Sequence, residues 1–380
     1  MAKSASLGRT TRIRGAGAAS PALPEELVVW EILVRLPAKA LLRCRAVCRR
    51  WLLLTSADDF LLAHHRRQPS LPIVIFRESN NLVGAAVHAS CDGLLLLSLS
   101  GGGRFYLCNP ATRQWITLPS LALAGSTVAG LYPHGSSGEY RVLYRRRRHH
   151  HHGGGVVGDG YHVLTVGSSA EPRRITRPLT SPSSSSSSSI EQSLVYISQR
   201  PPVLLRGCLH WGQQLLKPEL IAYDTVAESF RRISAPAAYT WAWGDLFDMD
   251  GGGTLGVSIV SEGETTVELW ALQDYEMEVW SLKYRITLPV AEMRAVAKNC
   301  RFDDIDVLVV SGDGDMLAYC DTDSHLFHCG SSGRLLRNFQ WDPAFPKVTG
   351  HWFKESLFRH SFFKNRNNGF MRQPRFFRGL

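Results

Sequence analysis

Residues 23–65 of the chain read LPEELVVWEILVRLPAKALLRCRAVCRRWLLLTSADDFLLAHH, and most of what the sequence predicts depends on this stretch. Pro24 stands where the first helical position favours proline, and two glutamates follow in the first turn, where the helix dipole favours acids. Apolar residues then recur at three- and four-residue steps until Pro37, which prevents the helix from continuing. The pattern predicts two further short helices, one around residues 41–42 and one across residues 47–54.

Three short helices of this composition cannot cover all of their own apolar side chains. Sixteen of the thirty-two residues at positions 23–54 are Leu, Val, Ile or Trp. A unit below about 40 to 60 residues buries too small a fraction of its surface to be robust alone, and each large apolar side chain left in water forgoes roughly 1.5 to 3 kcal/mol. The stretch therefore predicts an interaction module whose exposed apolar side chains face a partner.

The same stretch resembles the F-box family. The match is carried by LPEEL at residues 23–27, EILVRLP at 31–37, LLRCRAVCRRW at 41–51 and the Asp-Phe pair at 59–60. The resemblance implies that three helices within residues 21–66 dock on the Skp adaptor of a cullin-RING ubiquitin ligase, whose catalytic residues belong to other subunits. The adaptor contacts expected from the resemblance are Leu23, Pro24, Leu27, Ile32, Leu36, Pro37, Leu41, Leu42, Val47 and Trp51.

The formal net charge of +10 raises the question of a nucleic-acid partner, so the location of the charge matters more than its size. Basic residues concentrate in residues 1–20, 145–148 and 347–380, which together hold more net positive charge than the whole chain. The remaining body is mildly acidic, and the sequence therefore does not favour nucleic acid as a partner. The arginine run at 145–148 leaves binding of an import receptor open as an alternative.

The N-terminus and the cysteines bear on location. Residues 1–20 are basic and lack an apolar centre, so we expect a disordered tail and no secretory signal, with a transit peptide as the alternative. No apolar run reaches the length of about 18 residues that spans a bilayer, so no membrane partner is expected. None of the eight cysteines forms a C-x-x-C pair, which favours reduced thiols in the cytoplasm or nucleus. We expect no metal and no cofactor.

After the linker at residues 68–72, the pattern changes from helical to strand-like, with short apolar runs separated by Gly, Ser, Asn and Asp. One unit recurs: a strand, a turn opened by Asn or Asp, and an aromatic residue six positions later. A spacing near 50 residues is typical of the four-stranded blade of a kelch-type propeller. Residues 161–178 are the candidate for a blade in the longest gap. The units pair Asn109 with Trp115, Asp224 with Phe230, Asp274 with Trp280 and Asp321 with Phe327.

These segments resemble the F-box-associated domain of plant F-box proteins, which is a kelch-like β-propeller. The resemblance is carried by CDGLLLL at residues 91–97, NPATRQW at 109–115, GCLHW at 207–211 and YDTVAESF at 223–230. It implies an all-β propeller-like fold that binds target proteins through variable loops. It assigns no target contact to any position of this chain.

The sequence thus predicts an α+β multidomain chain. A small three-helix F-box at residues 21–66 is followed by an all-β propeller-like domain at 71–345 and by a basic C-terminal segment at 346–380. Two low-complexity inserts, at 145–155 and 181–189, lack the apolar residues that a core requires.

Two other functions compete with this interpretation. Residues 247–255, FDMDGGGTL, resemble the nucleophile loop of haloacid-dehalogenase-type phosphatases, but that chemistry uses a doubly wound parallel sheet and the surrounding pattern predicts antiparallel hairpins. A ligand- or glycan-binding propeller acting outside a ligase is the second alternative. The sequence favours a non-catalytic substrate-recognition subunit, in which the F-box holds the adaptor, and through it cullin and RING subunits, and the propeller holds the target protein.

Overall fold

In the computed structural model the chain divides into two compact units, one ending at Arg67 and one beginning at Gln68. The predicted tail at residues 1–20 and the serine-rich insert at 181–189 lie outside the described residues. No described helix is long and apolar enough to cross a membrane. The structure describes residues 23–77, 85–99, 104–119, 126–147, 158–175, 200–212, 219–238, 244–251, 253–261, 266–297, 305–319, 324–340 and 345–363.

The first unit, which we call the helical unit, is a succession of short helices. It begins with an α turn (α1, Glu25–Leu27), widens to π-helical geometry at Val28–Ile32 and tightens to 3-10 geometry at Leu33–Arg35. This path ends before Pro37, which cannot continue a helix. The remaining helices of the unit are α2 (Ala38–Cys44), α3 (Arg49–Leu54) and α4 (Asp58–Arg67).

Helix α4 extends the helical unit beyond the three helices that the sequence predicts. It buries Phe60, Leu61 and His64. The Phe60 ring lies 5.7 Å from the Trp30 ring, and Leu36 O accepts a hydrogen bond from His64 Nε2 at 2.8 Å. These contacts join α4 to the first helical segment. The buried apolar residues of the unit are Val29, Leu33, Val34, Ala38, Leu41, Phe60 and Leu61.

The second unit contains five four-stranded antiparallel sheets, each a meander in chain order. Sheet 1 is β2 (Ala85–Cys91), β3 (Leu94–Leu99), β4 (Phe105–Asn109) and β5 (Gln114–Thr117); sheet 2 is β6 (Ser126–Pro133), β7 (Tyr140–Arg147), β8 (Gly158–Thr165) and β9 (Arg173–Arg174); sheet 3 is β10 (Val203–Leu205), β11 (Cys208–Gly212), β12 (Glu219–Asp224) and β13 (Ser229–Ser234). Sheet 4 is β14 (Gly244–Asp248), β15 (Leu255–Val260), β16 (Thr266–Asp274) and β17 (Val279–Thr287), and sheet 5 is β18 (Asp306–Val309), β19 (Met316–Tyr319), β20 (His325–Cys329) and β21 (Leu335–Gln340). Helix α5 (Val290–Val296) follows sheet 4.

A sixth, two-stranded sheet joins the two ends of this unit. Strand β1 (Ser70–Arg77) pairs antiparallel with β22 (Phe345–Lys354). Strand β22 also contacts β2 of sheet 1 and β20 of sheet 5. The first and last strands therefore close the five sheets into a five-bladed propeller.

The closing strand moves the predicted domain boundary at residue 345. The segment from 346 onward, predicted as a separate basic tail, begins inside β22, where Val348 is buried against sheet 5. Further along, Phe363 is buried in the core shared by sheets 1 and 2. The propeller thus extends at least to Phe363. Basic side chains at surface positions of a strand do not prevent its backbone from pairing, so composition gave the wrong boundary.

The turns opened by Asn or Asp follow the predicted chemistry. Asp224 Oδ1 accepts hydrogen bonds from two following backbone N–H groups at 2.8 Å, and Asp274 Oδ1 accepts two at 3.0 and 2.9 Å. Asn109 Oδ1 accepts one at 3.2 Å. In all three turns the residue four positions later has a positive φ: Arg113 at 56°, Glu228 at 51° and Glu278 at 55°. The prediction is confirmed for these three turns, whereas Asp321 lies outside the described residues.

The repeated units do not all occupy the same place in a blade. The turns of Asn109, Asp224 and Asp274 join the third and fourth strands of sheets 1, 3 and 4. The candidate blade at residues 161–178 supplies part of β8 and all of β9, the third and fourth strands of sheet 2. The unit that contains Phe327 instead spans β19 and β20, the second and third strands of sheet 5.

The first low-complexity insert begins later than predicted. Arg145 pairs with Tyr161 and Arg147 with Gly158 in the register of β7 and β8. Three of the four consecutive arginines therefore belong to a strand, and the part of the insert from residue 148 onward lies outside the described residues.

Candidate protein-interaction surfaces

Most of the predicted adaptor contacts lie on the surface of the helical unit. Leu23 and Val47 are 63% and 67% exposed, whereas Leu41 is 0% exposed and lies in the core of the unit. Leu41 therefore offers no surface to a partner, because it stabilises the unit from within. Seven of the ten are exposed, namely Leu23, Pro24, Leu27, Ile32, Pro37, Leu42 and Val47, and two, Leu36 and Trp51, are half-buried.

Five further apolar side chains share this exposure and were not predicted. Trp30, Leu52, Leu54 and Leu62 are exposed, and Leu53 is 72% exposed. Helix α3 has no buried residue at all. Three consecutive leucines in a helix point in different directions, so a single apolar face cannot account for all of them. That run was the signal in the sequence from which three of the five extra exposed residues could have been identified.

Polar side chains fix α3 in place although none of its residues is buried. Arg45 donates from Nε to Thr55 Oγ1 at 3.1 Å and from its terminal nitrogen to Thr55 O at 2.5 Å. Cys48 Sγ accepts from Trp51 N at 3.4 Å at the start of the helix, and Arg50 Nε lies 2.5 Å from Glu25 Oε2. The helix is therefore held by its ends, which leaves its leucines available for a partner.

The propeller has a second candidate surface, a cavity of about 510 Å³ that we call the channel. Residues of β1, β2, β6, β14 and β22 line it, together with residues from the start of sheets 3 and 5. The lining residues of sheets 1, 2, 4 and 5 lie on or next to the first strand of each sheet. The channel therefore lies where the blades converge. Such central cavities, which several blades build together, are typical binding sites of propellers.

The channel wall combines apolar residues with three serines, and three titratable side chains are among the described residues that line it. Asp248 and Asp250 are exposed, whereas His351 is 7% exposed. Burial, together with a smaller effect of the nearby His88, lowers the pKa of His351 to about 4. His351 is therefore neutral at pH 7, and the two aspartates determine the charge of the wall.

The two aspartates lie at the tip of the hairpin that joins β14 and β15. Asp248 pairs with Leu255 across the two antiparallel strands, and Met249 N donates to Thr254 O at 3.0 Å. A side chain at Gly312 would overlap Met249 O, so glycine there lets the hairpin tip rest against the neighbouring blade. The aspartates are thus carried by a supported turn and not by a mobile strand end.

This geometry does not match the phosphatase alternative. A phosphatase nucleophile loop follows a parallel strand of a doubly wound sheet, whereas β14 is the first strand of an antiparallel meander. Within the described ranges, no three His, Cys, Asp or Glu side chains lie close enough together to hold a metal ion. The Asp-Gly-rich sequence is a hairpin turn, as the surrounding pattern predicts.

Comparison with known proteins identifies both units. The family model described as F-box-like matches residues 21–68, and the model of the F-box associated beta propeller domain matches residues 60–329, which is more than half of the chain. F-box protein At5g49610 of Arabidopsis thaliana is 26% identical over 295 residues, which cover 70% of this chain and 79% of that protein. Putative F-box protein At3g52320 of the same plant is 24% identical over 319 residues, covering 73% and 76%. The chain therefore belongs to the plant F-box proteins that carry an F-box associated β-propeller domain.

Proposed function

We propose that this F-box protein is the substrate-recognition subunit of an SCF-type cullin-RING ubiquitin ligase. The helical unit binds a Skp-type adaptor, and through it the cullin and RING subunits, while the propeller binds the target protein. The chain itself performs no bond chemistry in this role, because the transfer of ubiquitin takes place on the other subunits.

The observation that supports adaptor binding is the imbalance of apolar side chains in the helical unit. It buries seven apolar residues but leaves ten large ones exposed, counted over residues 23–67. Monomeric proteins seldom leave contiguous apolar surface of this kind in water, and where they do it marks an interface. Each leucine that a partner covers contributes roughly 1.5 to 3 kcal/mol of favourable transfer free energy. A handful of such contacts suffices for a stable complex once the cost of association is met.

The proposal places the protein in the cytoplasm or nucleus, where adaptor and cullin subunits work. The described cysteines are free thiols, which suits a reducing compartment. Burial raises the pKa of Cys108 and of Cys329 to about 12, so neither of these two thiols is activated as a nucleophile at neutral pH.

The test is co-purification of the full chain with a Skp-type adaptor, using a matched pair of exposed leucines. Leu53→Asp in α3 should abolish adaptor binding, because it places a charge on the apolar surface of the helical unit. Leu336→Asp changes a leucine that is 51% exposed on β21 of the propeller and should leave adaptor binding intact. Equal adaptor binding by wild type and both variants contradicts the proposal and leaves a ligand-binding propeller outside the ligase as the better account.

A further inference from the structure

The channel combines an apolar wall with acidic side chains at its opening. Pro202, Val203 and Val310 are half-buried, whereas Asp248 and Asp250 are exposed. The carboxylates are therefore the more exposed part of the lining, and the aliphatic side chains keep some surface that a ligand can contact.

Neither carboxylate forms an ion pair with any residue that the structure describes. Arg206 reaches the same hairpin, but its Nε donates to Gly253 O at 3.3 Å and its guanidinium lies over the Tyr275 ring at 5.3 Å. The described lining residues include no lysine or arginine. The opening of the channel therefore carries two negative charges that the described wall does not neutralise.

This chemistry selects among possible ligands. A sugar presents hydroxyl groups around its ring and needs many polar partners, and the leucine, valine and proline side chains that form much of the wall supply none of them. An acidic segment would be repelled by the two aspartates. Lysine and arginine side chains complement this lining, because each has an aliphatic stem that can contact the aliphatic residues and a cationic head that can pair with the carboxylates.

We infer that the propeller holds its target by an extended protein segment whose lysine or arginine side chain enters the channel. The aliphatic stem packs against the wall, and the cationic head pairs with Asp248 and Asp250. Trp352, a half-buried residue, also lines the channel, and aromatic rings attract cations at their faces. This inference names the class of target for the function proposed above and rests on that proposal.

The test uses the full-length chain and four immobilised libraries of decapeptides, randomised except for one fixed central residue. The fixed residue is lysine, arginine, norleucine or glutamate. We expect the lysine and arginine libraries to retain at least about fivefold more protein than the norleucine and glutamate libraries, because each partly exposed ion pair adds only a modest free energy. This preference should weaken in high salt, which screens exposed charges.

Three variants decide whether the channel is responsible. Asp248→Asn with Asp250→Asn should remove the preference for cations, whereas Glu171→Gln with Glu276→Gln, which changes two exposed acids away from the channel, should keep it. Asp248→Lys with Asp250→Lys should shift the preference to glutamate, which a protein damaged by substitution would not show.

Equal retention of all four libraries overturns the inference, and so does a lysine preference that survives Asp248→Asn with Asp250→Asn. Displacement of the lysine library by an equal concentration of free spermidine would assign the channel to a small polyamine and also overturn it. Adaptor binding is measured separately, through the helical unit. A failure of the ligase proposal would therefore appear in the adaptor experiment, and a failure of this inference in the peptide experiment.

Discussion

The two units of this protein treat their apolar side chains in opposite ways. The helical unit exposes ten large apolar residues within residues 23–67, whereas the much longer described part of the propeller exposes nine. In the propeller each blade covers the next, and the closing sheet leaves no blade at an open end. The helical unit has no neighbour of this kind within itself. The comparison teaches that one unit covers most of its apolar side chains by itself, whereas the other leaves more large apolar side chains exposed than it buries.

The largest difference should appear when a core aromatic of the propeller is removed. Phe230 is 2% exposed, and its ring lies 4.9 Å from those of Tyr161 and Tyr223. Phe230→Ala should lower the free energy of unfolding by about 3 to 5 kcal/mol, because it leaves a cavity between two blades. Urea unfolding of the purified protein measures this loss.

Trp280→Ala is the matched comparison within the same repeat. From its spacing the sequence predicts a packed aromatic, but Trp280 is half-buried and donates from Nε1 to Ser234 O at 2.7 Å. Its removal should cost roughly half as much as that of Phe230. If Phe230→Ala unfolds with the same free energy as the wild type, the stability of the blades does not depend on the packing of this ring between sheets 2 and 3.

Acid should destabilise the propeller, because it buries neutral histidines. Burial lowers the pKa values of His210, His351 and His360 to about 4. Between about pH 6.5 and 4 the unfolded chain binds protons that the folded propeller does not, so stability falls as the pH falls through this window. Each histidine contributes up to about 3 kcal/mol. Asp245 acts in the opposite direction, because burial raises its pKa to about 6 despite the opposing effect of Arg200.

Urea unfolding at pH 7, 5.5 and 4.5 measures the effect of acid. His210→Gln should reduce the loss by roughly a third, since it removes one of three comparable groups. The assignment of buried neutral histidines fails if the free energy of unfolding does not change over this pH range. It also fails if His210→Gln loses as much stability as the wild type.

Local chemistry explains which parts of the fold the sequence predicts. The turn at Asp224 is predictable because the carboxylate and the N–H groups that it accepts lie within three residues. The pairing of β1 with β22 joins opposite ends of the propeller, and no local pattern marks such a partner. The shifted position of Phe327 within sheet 5 has the same cause, since a six-residue step identifies a hairpin but not its place in a blade.

The two candidate sites also differ in how far local sequence predicts them. An apolar helix face indicates that its residues pack against something, but not whether they pack within the unit or against a partner. The sequence therefore could not distinguish Leu41, which is buried within its own unit, from Leu42, which is exposed. The channel was missed because its lining comes from strands far apart in sequence. The sequence around Asp248 resembles a catalytic loop, but the chemistry of Asp248 is defined by its neighbours in space and not by those in sequence.

A smaller effect, confined to binding, is expected at the N-terminal edge of the helical unit. Leu23 and Pro24 are exposed, so replacing both with alanine removes no core contact. The double variant should weaken adaptor binding by about tenfold or more, because a buried leucine contributes roughly 1.5 to 3 kcal/mol at an interface. Calorimetric titration with the adaptor measures this, and the propeller transition of the variant should match that of the wild type. Unchanged affinity would place the adaptor elsewhere on the helical unit.

The smallest effect should follow deletion of the low-complexity inserts. Arg145–Arg147 must be kept, because these residues belong to β7, so the deletion removes residues 149–155 together with 183–189. Neither tract holds an apolar side chain that could contribute to a core. The closure entropy of a connection changes by only about 0.6 kcal/mol per doubling of its length. The free energy of unfolding and the affinity for the adaptor should therefore both stay within about 1 kcal/mol of the wild type. Failure of the deleted protein to fold would mean that the connection within sheet 2 or the one from sheet 2 to sheet 3 contributes to a blade. Loss of target binding alone would extend the recognition surface from the channel to these inserts.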